Sequence, residues 1–319
     1  MAQGLVITRP MPDAVLARAR ADYAVTPNQD DADWARNDLP GRAAGAAAIL
    51  TAPGAALTAE IIAALPESVK IAATFSVGYD HIDLEAAGRR GLIVTNTPDV
   101  LTDATADIAL LCMLGAARRA WEGQDLLRRG AWTGWTPVQL MGTHLGGRRL
   151  GILGMGRIGR AVADRARAFG MTIHYHNRSR LAAEQEAGAI FHADPEELLK
   201  VSDVLSLNAP ATAETENFLD AARIALLPQG AIVVNSARGN LVDDEALIAA
   251  LRSGRLAAAG LDVFRGEPAV HPDYLSLTNA YLLPHMGSAT LDTRHAMGFR
   301  CLDNLDAYFA GREPPNRIA

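Results

Sequence analysis

Short apolar runs alternate along nearly the whole chain with longer segments in which apolar residues recur at helical spacing. This alternation is typical of α/β proteins, in which helices bury parallel strands on both faces. We therefore predict an α/β fold with two open sheets, one on either side of residue 100. The predicted strands are residues 5–8, 47–50, 71–75 and 93–95 in the first sheet, and 149–153, 172–176, 204–208, 231–235, 257–262 and 281–283 in the second.

Helical periodicity fills the segments between these strands. The predicted helices are residues 11–22, 58–65, 84–90, 104–129, 160–169 and 292–310. The helix at 104–129 is apolar on most faces in its first half, so we expect it to be buried between layers or subunits. The last helix follows the sixth strand of the second sheet, and we expect it to cross back to the first. This predicts one discontinuous domain, 1–98 with 288–319, and a second domain, 99–287.

Composition limits the possible partners. The 319 residues are 49% hydrophobic, and 30 basic against 36 acidic residues give a net charge of -6. No overall positive field is available for nucleic acid. The longest apolar segment, 108–117, is about ten residues, against roughly 20 for a membrane span. We predict neither nucleic acid nor membrane as a partner.

Two further features bear on the compartment. Cys112 and Cys301 are the only cysteines and lie far apart, so we expect small buried hydrophobes rather than a disulfide. The N-terminal segment has the pattern of a strand and lacks that of an export signal. We therefore predict a cytoplasmic protein.

A glycine-rich turn follows the strand at 149–153. Its sequence, Gly154-Met155-Gly156-Arg157-Ile158-Gly159, has the spacing G-x-G-x-x-G between a strand and a helix. The first glycine allows a tight turn, the second allows a pyrophosphate to approach the backbone, and the third allows helix and strand to pack closely. The helix N-terminus adds free N–H donors. We predict a dinucleotide site at Gly154, Gly156 and Gly159, with the backbone of Arg157 and Ile158.

The next strand ends without the carboxylate that an NAD site carries about 20 residues after the turn. Asn177-Arg178-Ser179-Arg180 stands there instead. Guanidinium and hydroxyl groups suit an anionic 2′-phosphate. We therefore predict that Asn177, Arg178 and Ser179 bind NADP(H) in preference to NAD(H), which stays possible. Arg180 fits a solvated surface charge equally well.

Three polar segments follow three later strands: Asn235–Gly239, Gly260–Pro268 and Leu283–Thr290. In open α/β sheets the ligand crevice lies at such carboxyl ends. Together with the glycine turn, these segments resemble the D-isomer-specific 2-hydroxyacid dehydrogenase family over essentially the whole chain. Phe75–Asp83, Trp132–Trp135 and the Asn177-Arg178-Ser179 motif look most like the glyoxylate/hydroxypyruvate reductases of that family.

The resemblance implies a doubly wound Rossmann cofactor domain and a smaller flavodoxin-like α/β substrate domain. It also implies an NADPH-dependent reductase of small 2-oxoacids, with glyoxylate and hydroxypyruvate as first candidates. In that family Arg238 would hold the substrate carboxylate, His285 would be the general acid, and Glu267 would pair with His285. These residue types suit the chemistry, because guanidinium binds carboxylates bidentately and imidazole exchanges protons near neutral pH.

The family resemblance implies further contacts. Asp262 would contact the nicotinamide, and Pro210 would belong to the cofactor site. The backbone N–H groups of Val77 and Gly78 would bind the substrate carboxylate. In a homodimer, Trp135 would reach the substrate pocket of the neighbouring subunit, although a plain interface role fits a tryptophan equally well.

Two other functions stay open. The same machinery could act on another acid, such as D-lactate, phosphoglycerate or phosphite. A cofactor-sensing interaction protein is the third possibility, since related folds serve as corepressors. His174 and His176 alternate on one strand, but no further ligands cluster there, so we predict strand packing or cofactor contact rather than a metal site. His81 fits a structural role.

Overall fold

The computed structural model describes residues 2–34 and 38–319, which divide into two units. One unit combines the N-terminal part up to Leu101 with Ser288–Ala319, and the other is Thr102–Gly287. The division predicted from the sequence lies at 98/99 and 287/288. Within the described residues, no helix has the length and apolar character needed to cross a membrane.

The first unit contains a parallel sheet of five strands in the order β2-β1-β3-β4-β5. This is the flavodoxin-like order, as the family resemblance implied. Its elements up to residue 95 are β1 (Gly4–Ile7), α1 (Asp13–Asp22), β2 (Ala24–Pro27), α2 (Leu39–Arg42), β3 (Ala48–Thr51), α3 (Ala59–Ala64), β4 (Ile71–Thr74), α4 (Leu84–Arg90) and β5 (Ile93–Thr95).

The hydrophobic pattern of the sequence predicts four of these five strands and does not predict β2. The residues of β2 are all exposed or half-exposed, because β2 lies at the sheet edge. It therefore lacks the apolar run that identifies the buried strands β3 and β4.

The second unit contains a parallel sheet of seven strands in the order β12-β11-β10-β9-β6-β7-β8. This is the doubly wound Rossmann order with one strand added at an edge, which confirms the predicted fold class. Its elements are α5 (Thr102–Ala117), α6 (Ala120–Arg128), β6 (Arg149–Leu153), α7 (Arg157–Ala168), β7 (Thr172–His176), α8 (Ala183–Glu186), β8 (Ile190–Phe191), α9 (Pro195–Val201), β9 (Val204–Leu207), α10 (Ala221–Leu226), β10 (Ala231–Asn235), α11 (Asp244–Arg252), β11 (Leu256–Leu261) and β12 (Ala280–Leu282).

Side chains of the second sheet alternate between two apolar cores, because successive residues of a strand point to opposite faces. Val233 belongs to the core that includes residues of α9, α10 and α11. Ile232 and Val234 belong to the core that includes residues of α5 and α7. Helices therefore cover both faces, which explains why β9 and β10 are buried along their whole length.

The prediction of six strands in this sheet was wrong by one. β8 pairs with β7 through only two residues, Ile190 and Phe191, of which Ile190 is exposed. A strand this short carries no periodic signal in the sequence. The helix predicted at 160–169 begins earlier, at Arg157, directly after the second glycine of the turn.

The prediction of one helix over 104–129 was also wrong, because the chain breaks between α5 and α6. Arg119 has a left-handed backbone, with φ of 53°. The N–H of Thr143 donates to the carbonyl oxygen of Ala117 at 2.7 Å, so a returning segment satisfies the end of α5. As expected, α5 is buried: it packs against α7, β10 and β11. None of the residues of α6 is buried.

The last helix, α12 (Leu291–Phe309), lies in the first unit, where it packs against β4 and α1. Cys301 is buried in α12 and Cys112 in α5, both as free thiols. Burial raises the pKa of both thiols, to about 12 for Cys112. Both cysteines therefore act as small hydrophobic side chains, as predicted.

Candidate active site

The strands of the second sheet end level with one another. Leu153 of β6 is in register with His176 of β7 and Leu207 of β9, and Asn235 of β10 is in register with Leu261 of β11. The glycine turn, the loop after His176 and the three polar segments all follow these ends. Candidate cofactor and catalytic residues of this unit therefore lie along the edge of the sheet that the carboxyl ends of its strands form, where open α/β folds bind ligands.

His285 and Glu267 form a hydrogen-bonded pair at this edge. His285 Nδ1 lies 2.6 Å from Glu267 Oε2, and the N–H of Phe264 donates to Glu267 Oε1 at 2.8 Å. Because an ionised carboxylate only accepts, Nδ1 carries a proton and Nε2 is left for a ligand. Burial raises the pKa of Glu267. The hydrogen bonds from His285 and Phe264 and the charges of His285 and Arg238 together lower this pKa by more than burial raises it, so it lies below the ordinary value.

Asp262 fixes the backbone on which His285 stands. Its main-chain oxygen accepts from the N–H of His285 at 2.8 Å, and its carboxylate accepts from the N–H groups of Met286 at 2.6 Å and Gly287 at 2.8 Å. His285 has φ of 54°, a left-handed conformation that is strained for a residue with a Cβ. Three bonds to one residue hold this strained turn. Burial raises the pKa of Asp262, and the two N–H donors to its carboxylate lower it in part.

Arg238 follows β10 on a loop that Asn235 holds in place. The buried side chain of Asn235 donates from Nδ2 to the carbonyl oxygen of Arg238 at 2.8 Å and accepts from the N–H of Ala237 at 3.1 Å. Arg238 is half-buried, and Nη1 donates to the carbonyl oxygen of Ala237 at 2.8 Å. Since its charge acts on Glu267, the structure brings Arg238, Glu267 and His285 within electrostatic range of one another.

The glycine turn has the geometry of a phosphate site. Gly154 has φ of +91°, and a Cβ there would lie 2.7 Å from the nitrogen of Ala209. A Cβ on Gly159 would lie 2.4 Å from the oxygen of Gly154. The fold itself therefore requires both glycines.

Gly156 is different from the other two glycines of the turn. Its φ is -79°, and a Cβ there would meet no atom within 4 Å. It precedes α7, whose N-terminus has no side-chain cap. Neither backbone strain nor packing explains a glycine here, whereas a pyrophosphate against the backbone does. The turn thus fits a dinucleotide.

The loop after β7 is held at its start by the glycine turn. The N–H of Met155 donates to Asn177 Oδ1 at 2.7 Å, and the N–H of Gly154 donates to the carbonyl oxygen of His176 at 3.0 Å. Arg178 and Ser179 are exposed. Arg180 pairs with Glu186, at 2.8 Å from Nε to Oε1 and 3.1 Å from Nη2 to Oε2. Of the two arginines considered for a 2′-phosphate, Arg180 thus uses two of its donors on Glu186, whereas no hydrogen bond or ion pair engages Arg178 among the described residues.

The remaining predicted cofactor and substrate residues lie in loops. Pro210 directly follows Ala209, whose backbone lies against Gly154, and its carbonyl oxygen accepts from Thr215 Oγ1 at 2.7 Å. In the first unit, Val77 and Gly78 follow β4 and are half-buried. The carbonyl oxygen of Val77 accepts from Asn96 Nδ2 at 2.9 Å, and that of Gly78 accepts from Ser76 Oγ at 2.6 Å. These bonds fix the orientation of the peptide groups in the loop.

The three histidines that the sequence analysis considered beside His285, which are His174, His176 and His81, have structural partners. His174 Nδ1 lies 2.9 Å from His192 Nε2, and His176 Nδ1 lies 2.9 Å from the carbonyl oxygen of His192. His81 Nε2 lies 2.9 Å from Thr74 Oγ1. No group of three or more His, Cys, Asp or Glu side chains within residues 2–34 and 38–319 is placed to hold a metal ion.

Trp135 does not belong to this group of residues within the single chain, where it is 77% exposed. The supporting roles of Asn235 and Glu186, and the hydrogen bonds by which Asp262 holds His285, were not predicted from the sequence. Asn235 and Asp262 lie at strand ends, which is a usable signal. Glu186 follows an Ala-rich segment with no pattern that points to Arg180.

Comparisons with known proteins show the family to which the chain belongs. The family model for the D-isomer specific 2-hydroxyacid dehydrogenase, NAD binding domain, matches residues 110–287. The chain is 45% identical over 317 residues to glycerate dehydrogenase of Hyphomicrobium methylovorum, covering 99% of this chain and 98% of that protein. It is 42% identical over 319 residues to glyoxylate reductase of Thermococcus onnurineus, covering 98% and 95%.

A solved structure is similar over the whole chain. The NADPH-dependent glyoxylate/hydroxypyruvate reductase from Sinorhizobium meliloti, in complex with NADP and malonate, matches with a TM-score of 0.91 and 34% identity, covering 100% of this chain and 97% of that one. In the present chain, the glycine turn, the His285–Glu267 pair and Arg238 all follow strands of one sheet. The chain belongs to the D-isomer-specific 2-hydroxyacid dehydrogenase family, and is thus an NAD(P)-dependent D-2-hydroxyacid dehydrogenase.

Proposed function

We propose that the protein reduces small 2-oxoacids, glyoxylate and hydroxypyruvate first among them, with NADPH as the preferred cofactor. The observation that carries this proposal is the His285–Glu267 pair, 2.6 Å apart, on the sheet edge that also bears the glycine turn. The relatives described above, one a glycerate dehydrogenase and one a glyoxylate reductase, support these substrates. Glycerate is the hydroxyacid that reduction of hydroxypyruvate yields.

In the proposed mechanism, His285 donates a proton from Nε2 to the ketone oxygen of the substrate. The nicotinamide cofactor, when bound, supplies the hydride that reduces the carbonyl carbon. The ionised Glu267 accepts the hydrogen bond from Nδ1, which leaves Nε2 to face the ketone oxygen. Asp262 holds His285 in its strained turn, so the imidazole is oriented before the substrate arrives, and we propose that Asp262 also contacts the nicotinamide.

Arg238 would bind the substrate carboxylate. A guanidinium can form two parallel charge-assisted hydrogen bonds with a carboxylate, which fixes the direction of the neighbouring carbonyl group. We propose that the N–H groups of Val77 and Gly78 also bind this carboxylate. The carbonyl oxygen of Val77, which lies between these two N–H groups, accepts from Asn96, and that of Gly78 accepts from Ser76.

The cofactor would be held by the glycine turn, the N-terminus of α7 and the loop after β7. Gly154, Gly156 and Gly159 with the backbone of Arg157 and Ile158 would hold the pyrophosphate, and Pro210 would line the site. Asn177 fixes the loop against the turn, while Arg178 and Ser179 would read the 2′-phosphate. The S. meliloti reductase that the chain resembles is NADPH-dependent, which supports this preference.

The direct test is NADPH oxidation with each acid. We expect turnover with both glyoxylate and hydroxypyruvate, and a higher kcat/KM with NADPH than with NADH. A panel that includes pyruvate and phosphorylated 2-oxoacids measures substrate choice. Folded protein that binds NADPH but turns over neither acid would contradict the proposed substrates.

Reversing the charge of Arg178 should change cofactor choice. In the Arg178→Asp variant a carboxylate would face the 2′-phosphate, so we expect kcat/KM for NADPH to fall about 10-fold to 100-fold, and that for NADH to change by less than about threefold. Steady-state kinetics with both cofactors measures this. Arg148→Asp, at the opposite edge of the same sheet, is the control. Equal losses with both cofactors would mean that Arg178 does not read the 2′ position.

Neutralising Glu267 should slow reduction. Its pKa is lowered in the fold, so its carboxylate stays ionised at neutral pH and accepts from His285 Nδ1. Glu267→Gln replaces this charge-assisted hydrogen bond by a neutral one, so we expect kcat to fall about 10-fold to 100-fold while the Kd for NADPH changes by less than about twofold. Glu245→Gln, which alters the exposed His271–Glu245 pair, is the matched control. An unchanged kcat would contradict the role of Glu267.

We propose that the protein is a homodimer in which Trp135 reaches the neighbouring subunit. Trp132 and Trp135 are 51% and 77% exposed in the single chain, and burial of large aromatic side chains at an interface is favourable. Light scattering measures the mass in solution. A monomer would contradict this proposal. A rise in KM for hydroxypyruvate in Trp135→Ala, with the dimer intact, would support a substrate contact over plain packing.

The two buried free thiols are compatible with a reducing compartment. We propose the cytoplasm, which fluorescence microscopy of the tagged protein in its host would test.

A further inference from the structure

A buried carboxylate stands behind the loop that follows β7. Glu186, at the end of α8, has only 9% of its side chain exposed, and it accepts from Arg180 through both oxygens. Tyr175 Oη donates to the same Oε1 at 2.6 Å. Three donors thus converge on one carboxylate. The bond from Arg180 and then that from Tyr175 lower the pKa of Glu186, so it is ionised at neutral pH.

The phenol of Tyr175 continues this network to the loop backbone. The N–H of Leu181 donates to Tyr175 Oη at 3.0 Å, while the hydroxyl proton goes to Glu186. Tyr175 is fully buried and its ring packs against that of Phe191 at 5.3 Å. The hydroxyl is therefore fixed by the core, and the loop backbone is tied to it.

Glu186 is itself held in place from the other side. Arg167 of α7 donates from Nη2 to the carbonyl oxygen of Glu186 at 2.9 Å. The helix α7 is the one that begins at the glycine turn. The position of the carboxylate is therefore fixed relative to the element that would receive the pyrophosphate.

The loop from Asn177 to Leu181 is consequently held at both ends. Asn177 is bonded to the glycine turn, and Arg180 and Leu181 are bonded to the Glu186–Tyr175 network. Between the two anchors lie Arg178 and Ser179, whose side chains are exposed. A loop fixed in this way presents two side chains without the entropy loss that ordering a free loop would cost on binding.

We propose that Glu186 and Tyr175 are positioning residues for cofactor choice, which hold the Asn177–Leu181 loop so that Arg178 and Ser179 bind the 2′-phosphate. Arg180 is an anchor of this loop and does not contact the phosphate. The proposal rests on the proposed NADPH preference. It assigns part of that preference to residues that touch no cofactor atom.

Two variants test it from different sides of the network. Glu186→Gln removes the charge that holds Arg180, and Tyr175→Phe removes the hydroxyl but keeps the packed ring. We expect each to raise the Kd for NADPH about threefold to tenfold, the loss of one or two hydrogen bonds, and to change the Kd for NADH by less than about twofold. At saturating NADPH, kcat should be unchanged within about twofold, because the catalytic residues are untouched.

Glu85→Gln is the matched control, since Glu85 pairs with the exposed Arg89 on α4 of the first unit. Amide hydrogen exchange of residues 178–182 without cofactor gives an independent readout, because the N–H of Leu181 is a member of the network. We expect faster exchange there in both variants than in the control. Unchanged exchange, or an equal rise of Kd for NADH, would overturn the proposal.

The two proposals fail in different ways. Wild-type protein that binds NADH as tightly as NADPH would contradict the NADPH preference and with it the role of the loop in reading a phosphate. Faster loop exchange in the variants would then still establish Glu186 as an anchor. A wild type that prefers NADPH, with variants that keep the full preference, would overturn the positioning role alone.

Discussion

Replacing His285 with asparagine is expected to lower kcat for reduction about 100-fold to 10,000-fold, the range that a positioned general acid contributes. Asparagine is chosen because His285 has φ of 54°, and asparagine adopts the left-handed region more readily than most residues with a Cβ. The bonds from Asp262 to this turn involve backbone N–H groups, so they are expected to persist. The loss should therefore report the missing proton donor.

The cofactor should still bind to this variant. We expect the Kd for NADPH to change by less than about twofold, because Gly156 and α7 follow β6, whereas His285 follows β12. His144→Ala, at an exposed histidine, is the control. Single-turnover kinetics with bound NADPH separates chemistry from binding. Reduction at the wild-type rate by His285→Asn would remove the general-acid assignment.

Replacing Arg238 with lysine is expected to cause the second large loss of activity. Lysine keeps the positive charge but loses the planar pair of donors. Two charge-assisted hydrogen bonds of about 1.5–3 kcal/mol each are at stake, so we expect kcat/KM for glyoxylate to fall about 100-fold to 10,000-fold. Because the same contact orients the reacting carbonyl, both KM and kcat should be affected.

A substrate series gives Arg238 a sharper test. If Arg238 binds the carboxylate, a ketone or aldehyde without a carboxylate should lose nothing further in the Arg238→Lys variant. Arg252→Lys, which alters an exposed pair with Asp273, is the control. A variant that keeps wild-type kcat/KM for both acids would contradict the assignment.

Short sequence patterns predicted most of the strands and the glycine turn. Buried parallel strands such as β4 and β10 are continuous apolar runs, so their positions can be read from the sequence. The glycine turn is equally local, because its three glycines are required within six residues by backbone geometry, helix packing and the space for a ligand. Strands without such runs, β2 and β8, were missed.

Contacts between residues that lie far apart in the sequence could not be predicted from the sequence. The helix break at Arg119 depends on Thr143, which bonds the end of α5 from a returning segment. The role of Arg180 depends on Glu186, because a guanidinium in a loop suits a phosphate and a carboxylate alike. Only the folded chain places one of these partners within reach.

The sequence by itself determined the α/β class, the dinucleotide turn and the residue types at the three strand ends, because each is specified by neighbours along the chain. Tertiary structure decided that Glu267 bonds Nδ1 of His285 and leaves Nε2 available. It also decided that Asp262 holds the strained histidine and that Arg178 rather than Arg180 is left for a ligand. These outcomes depend on hydrogen bonds between segments far apart in sequence, whose partners are chosen by distance and direction in the folded protein.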